Sequence, residues 1–146
     1  MRVVVGKKAN QTNFFDDEIE KVEFNPTWGV PQSIITNEML PKLRADPSYL
    51  DRIGYKVSYN GKARSSSSIN WSSLSSTRAI GVRQPAGPKN ALGQLKILFP
   101  NKHAIYMHDT PAKSLFGRDT RAFSHGCVRL HDPKAMAERN WHRRIF

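Results

Sequence analysis

Residues 94 to 108, QLKILFPNKHAIYMH, constrain the fold more than any other stretch. Leu95, Ile97 and Phe99 alternate with other residues, the period of a strand with one face buried. The turn PNKH follows, and AIYMH then resumes an apolar run of strand length. Two such runs with so short a link should pair as adjacent antiparallel strands, with His108 ending the second where loops begin.

The rest of the chain reads in the same way. RVVVG reads as a buried strand and KVEF, with Val22 and Phe24 alternating, as another. FNPTWGVP turns at Pro26, Gly29 and Pro31. ITNEMLPKLRAD has helical character, interrupted or kinked at Pro41. In DPSYLDRIG, Asp46 suits a cap, Pro47 the first helical position and Gly54 the stop. YKVSYNGK alternates Tyr55, Val57 and Tyr59 and then meets Asn60-Gly61, a hairpin turn signal. The serine-rich residues 64–77 read as a mobile loop, with Ile69, Trp71 and Leu74 as possible pins. Asp132-Pro133 opens a final helix. The expected class is mainly β, with a helical insertion between residues 33 and 54.

A length of 146 residues suits one domain with a real core. No apolar run reaches 18 residues, so no membrane span is expected, and MRVVVGKKAN is too short in apolar residues for a secretory signal. A net charge of +11 favours a polyanionic partner. The basic residues are scattered and no recognition motif is present, so nucleic acid is not expected. A solvated basic surface without a specific partner is the plainer alternative.

The single cysteine, Cys127 in AFSHGCVRL, excludes an internal disulfide and thiolate-rich metal sites. A lone cysteine is more often a small buried plug than a nucleophile. Three features favour chemistry here. Gly126 allows close backbone approach. Arg118, Arg121, Arg129, His108 and His125 outnumber nearby Asp109, Asp119 and Asp132, which should raise the thiolate fraction. Two histidines stand close enough in sequence to act as base. His125 shares strand parity with Cys127, whereas His108 would reach the sulfur from a neighbouring strand; local geometry leaves the choice open.

His108, 15 intervening residues and then SHGCVRL resemble the signature of the L,D-transpeptidase (YkuD-like) catalytic domain. MRVVVGK, FNPTWGVPQSI, LPKLRADPSYL, GPKNALGQLKILFPNKHAIYMHDTP and SLFGRDTRAFSHGCVRL extend the likeness over most of residues 1 to 138, toward the larger branch that carries a lid. The resemblance implies a β-sandwich or barrel-like fold with a small helical lid, about residues 33–82, and a C-terminal helix. It also implies that Cys127 is the nucleophile and His108 the proton acceptor and donor, with His125 organising the site and no cofactor or metal. His103, His131 and His142 match no role and read as surface residues.

The implied reaction is attack of Cys127 on a peptidoglycan tetrapeptide stem at the bond between third-position diaminopimelate and D-alanine. The amides of Gly126 and Cys127 would hold the oxyanion, and a second stem's amine would resolve the thioester into a crosslink. Ser124 would support the oxyanion or the histidine network. Arg129 offers a fork for substrate carboxylates, or an ion pair with Asp109 or Asp132. Tyr106 shares a face with His108 and lines either substrate or core. Trp71 and Trp28 fall in the lid region, as substrate-lining residues or packing anchors.

Such an enzyme would work in the bacterial periplasm or envelope as a monomer, and the family is acylated by carbapenems. The family usually has one or two strands before the segment matching MRVVVGK, so an N-terminally truncated catalytic domain is expected, and ERNWHRRIF fits the family's apolar helix poorly. The alternatives are an L,D-carboxypeptidase, attachment of a lipoprotein to murein, and a basic polyanion-binding module with an inert cysteine.

Overall fold

The computed structural model describes residues 1–143, with side chains through residue 139; His142 therefore lies outside the residues whose side chains are described. The chain is mainly β, with ten strands in two sheets and few helices among the described residues. It divides into two compact units, Met1–Pro26 with Ala86–Phe146, and Thr27–Pro85.

The first unit holds a six-stranded sheet in the order β2-β7-β8-β10-β1-β9. Its strands are β1 (Val3–Gly6), β2 (Lys21–Phe24), β7 (Leu95–Leu98), β8 (Met107–His108), β9 (Ala122–Ser124) and β10 (Val128–Leu130). As the sequence predicts, β7 and β8 pair antiparallel, and His108 is the last residue of β8. The second run is shorter than expected because Ala104 takes φ 53° and Ile105 bonds back to Asn101, which ends the turn late. Leu95, Ile97 and Leu130 form the core of one sheet face, packed by Val3, Val22, Met107, Val128 and Met136. Phe24 departs from the alternation expected of KVEF: it ends its edge strand and is 73% exposed. The final helix α4 (Pro133–Arg143) starts where Asp132 Oδ1 accepts the Ala135 N–H at 3.0 Å.

The second unit holds a four-stranded sheet, β3-β6-β4-β5, with β3 (Trp28–Gly29), β4 (Lys56–Tyr59), β5 (Lys62–Arg64) and β6 (Ile80–Gln84). Asn60 and Gly61, at φ 49° and 75°, make the two-residue turn between β4 and β5. Helix α1 (Gln32–Ile34) runs into a π turn over Ile35–Met39 and then α2 (Leu40–Ala45). Pro41 has no N–H to give, and the helix meets it in wider register, with Leu40 N–H donating to Ile35 O. A short helix α3 (Tyr49–Arg52) follows.

The serine-rich segment is more ordered than its composition suggests. The Asp51 carboxylate accepts from Ser65 Oγ at 2.6 Å and from the amides of Ser66 and Ser67, which holds its pKa down at about 2. Ser66 is buried and donates to Pro47 O, and the Trp71 indole N–H donates to Ser66 O at 2.8 Å. Trp71 is only 1% exposed, within this unit's own core beside Ile69, Leu43 and Ile80. Packing therefore accounts for Trp71, and its substrate-lining alternative has no surface to act through. Trp28 is half-buried against the same core.

Candidate active site

One row of residues crosses the larger sheet on the face opposite the Leu95–Ile97–Leu130 core. Register pairs Glu23 with Lys96, Lys96 with His108, His108 with Arg129, and Arg129 with Val4. Cross-strand partners share a face, so Lys96, His108 and Arg129 stand side by side. Strands β8 and β10 run parallel, and the Val128 N–H donates to Tyr106 O at 3.1 Å. Cys127, just before β10, is thus level with Tyr106, just before β8. Alternation along β8 gives Tyr106 the face of His108, and the Tyr106 side chain, Lys96 and Arg129 all act on the Cys127 sulfur, which puts it on that same face. The Cys127 sulfur lies 4.0 Å from Ala104 O, beside the strand that carries His108.

His108 is 5% exposed. Its Nδ1 lies 2.5 Å from Asp109 O. A carbonyl only accepts, so Nδ1 carries the proton and Nε2 is left with a lone pair. Burial pushes the imidazole pKa down to about 4, against the upward pull of the Asp109 hydrogen bond, and Arg129 and Lys96 add to the depression. The ring is neutral at physiological pH. The neighbouring Asp109 carboxylate is spent on Lys113 at 2.5 Å and on the Gln94 N–H at 3.0 Å.

Cys127 is partly buried. The basic neighbourhood was expected to increase its thiolate fraction, and the balance goes the other way. Burial raises the thiol pKa; hydrogen bonds from the Tyr106 backbone and side chain, then Lys96 and Arg129, pull it down without overcoming that penalty. At rest the thiol and the imidazole are both neutral.

The AFSHGCVRL segment is not one extended strand. It breaks into β9 and β10 around a turn at His125–Cys127, with Gly126 at φ 119°, a conformation open to glycine and rarely to other residues. The parity expected to aim His125 and Cys127 the same way is lost in this turn, and His125 is exposed.

Ser124 is 2% exposed and closes the turn: its Oγ donates to Cys127 O at 2.6 Å and accepts the Gly126 N–H at 3.1 Å. The Gly126 amide is therefore not the oxyanion donor expected, because Ser124 already holds it. The Cys127 N–H is the remaining candidate of the two.

Arg129 is half-buried, which draws its pKa down, and neither expected carboxylate pairs with it: Asp109 is taken by Lys113 and Asp132 caps α4. Tyr106 is half-buried, its ring 5.7 Å from that of His108. His103 is half-buried with its ring 6.0 Å from Phe15, and exposed His131 sets its ring edge-on to Phe116; neither belongs to the row.

Three residues that matter here escape sequence reading. Thr12 Oγ1 accepts the Gly6 N–H at 2.9 Å and donates to Gly126 O at 2.7 Å, fastening the turn to β1. Nothing in QTNFF marks Thr12 for that role. Asp109 supplies the carbonyl that fixes the His108 tautomer, a backbone role invisible to residue type. Lys96 was legible in principle, as the polar residue of the alternating LKIL strand. Among the described residues, no group of three or more His, Cys, Asp or Glu side chains could hold a metal ion.

A family model described as the L,D-transpeptidase catalytic domain, YkuD, matches residues 1–140. A Haemophilus influenzae protein named "Putative L,D-transpeptidase" is 39% identical over 137 residues, which is 93% of this chain and 28% of that protein. The chain thus spans under a third of the length of the relative it matches.

Proposed function

The chain belongs to the YkuD family of L,D-transpeptidase catalytic domains, and from that membership we propose that it exchanges peptide bonds in peptidoglycan stems through a Cys127 thioester. The observation that carries this reading is the pairing of β8 with β10, joined to the His108 Nδ1 bond to Asp109 O. They support a reading in which a neutral imidazole with a free Nε2 lone pair lies on the strand next to the chain's single cysteine.

The donor is a tetrapeptide stem. His108 Nε2 takes the Cys127 proton as the sulfur adds to the carbonyl carbon of the third-position diaminopimelate. The Cys127 amide, aimed by the Ser124 turn, donates to the oxyanion; one such donor is typically worth about 3 kcal/mol. The tetrahedral adduct collapses to the thioester and breaks the C–N bond, and His108 returns its proton to the departing D-alanine. An amine from a second stem then enters, loses a proton to His108 and displaces the sulfur. That step forms the crosslink and restores the thiol.

Burial disfavours the charged form of both groups, so the free protein holds them as thiol and imidazole. Arg129, a planar cation two residues from Cys127 with no aspartate partner, suits a carboxylate of the stem. The site of action is the bacterial envelope.

Incubation with a carbapenem followed by intact-mass measurement tests the nucleophile. The parent chain gains one adduct mass and Cys127→Ala gains none; an adduct on the variant overturns the assignment. With a purified tetrapeptide stem, a crosslinked dimer is expected. Tripeptide monomer alone would make the protein an L,D-carboxypeptidase.

A further inference from the structure

The expected site residues leave two charged side chains of the row, Glu23 and Lys96, without a role. Lys96 lies on β7, next to His108 in register, with its side chain 19% exposed. Its Nζ sits 4.4 Å from the centroid of the Tyr106 ring, the residue level with Cys127. A mostly buried ammonium stacked on an aromatic face is held in place rather than sweeping through solvent. Its one carboxylate neighbour, Glu23, is at 4.0 Å, the outer limit of an ion pair. On the far side of His108 stands Arg129. The base therefore lies between two cations, and the nearest acid, Asp109, is occupied by Lys113 and an amide.

We propose that Lys96 is a positioning residue for this chemistry: seated on the Tyr106 ring and opposite His108 in the sheet, its ammonium favours the anionic sulfur and keeps the free imidazole neutral. The inference rests on the reading of Cys127 as nucleophile. Both effects have the same origin. A fixed positive charge stabilises the negative charge that develops at Sγ and opposes positive charge on His108 in the free protein. The direction is the one seen at both groups, where Lys96 lowers the thiol and the imidazole pKa alike. Any role of Glu23 would be to fix Lys96 from the far side, at the cost of some of its field.

The test is the pH dependence of Cys127 alkylation by iodoacetamide in the intact chain. In Lys96→Met the midpoint moves up, and the rate at a fixed pH below both midpoints falls about three- to tenfold, as expected for one nearby charge in a partly buried site. Lys96→Arg, which keeps the charge, stays within about twofold of the parent. Glu23→Gln leaves the midpoint unchanged or lowers it. An unmoved midpoint in folded Lys96→Met overturns the proposal, as does a rise in Glu23→Gln equal to that of Lys96→Met, which would mean that the pair serves only structure. Lys96→Gln repeats the measurement if the methionine variant does not fold. Stem-peptide turnover is followed in parallel. A moved midpoint with no turnover in the parent would sink the transpeptidase reading and leave this inference standing; turnover with an unmoved midpoint would do the reverse.

Discussion

His108 shows how one side chain's surroundings set both its chemistry and its contribution to stability. Its ordinary pKa is near 6.5, and in the fold it is about 4. The unfolded chain therefore binds the proton first as pH falls, so the folded state loses stability through the window from about 6.5 down to about 4. The full shift corresponds to about 3 kcal/mol. Urea titrations of the parent chain and His108→Gln should diverge in slope across that window, with the variant flatter; equal slopes would mean that the imidazole is not held neutral by burial. Cys127 works in the opposite range. Its raised pKa makes the folded state lose stability above the pKa of an ordinary thiol, as the unfolded chain ionises first. Residue type made Cys127 and His108 legible as candidates. It could not foretell their ionisation, because counting nearby arginines ignores the desolvation that outweighs them.

At the scale of elements, the turn between β9 and β10 is held from outside as much as from within. Ser124 closes it, and Thr12 ties Gly126 O to the Gly6 amide. A Cβ built on Gly6 would lie 2.0 Å from Asn10 O and 2.8 Å from Thr12 N, both backbone atoms that cannot swing aside. Gly6→Ala should therefore destabilise the chain by about 1–3 kcal/mol, the usual range for overpacking. It should also slow carbapenem acylation more than that loss of folded population explains. Denaturant midpoints and acylation rates check the two parts, and acylation at the parent rate in the folded variant would show that the turn does not need this fastening. The hairpin at Asn60-Gly61 and the β7–β8 pair were readable from sequence because both depend on local turn chemistry and alternation. The break of AFSHGCVRL into two strands was not, since β9 and β10 are paired to β1 and β8, far away in the chain.

At the scale of the molecule, the net charge of +11 acts on association more than on folding. Binding of the chain to purified peptidoglycan, a polymer with free carboxylates, should weaken several-fold as salt rises from about 0.1 M to about 1 M, which shortens the screening length from about 10 Å to about 3 Å. Retention that ignores salt in a pull-down assay would mean that the basic surface does not contribute. No described helix is long and apolar enough to cross a membrane. By itself the sequence determined the mainly β class and the paired strands around PNKH, and it marked Cys127 and the nearby histidines as candidates for chemistry. These follow from alternation, turn residues and side-chain chemistry, which are properties of short stretches. Only the tertiary structure decided that Glu23, Lys96, His108 and Arg129 form one row, that Ser124 holds the Gly126 amide, and that Trp71 belongs to a core. The row depends on which strand lies beside which, set by burial and register between segments as far apart as Glu23 and Lys96, and the turn and the core on packing that no local pattern carries.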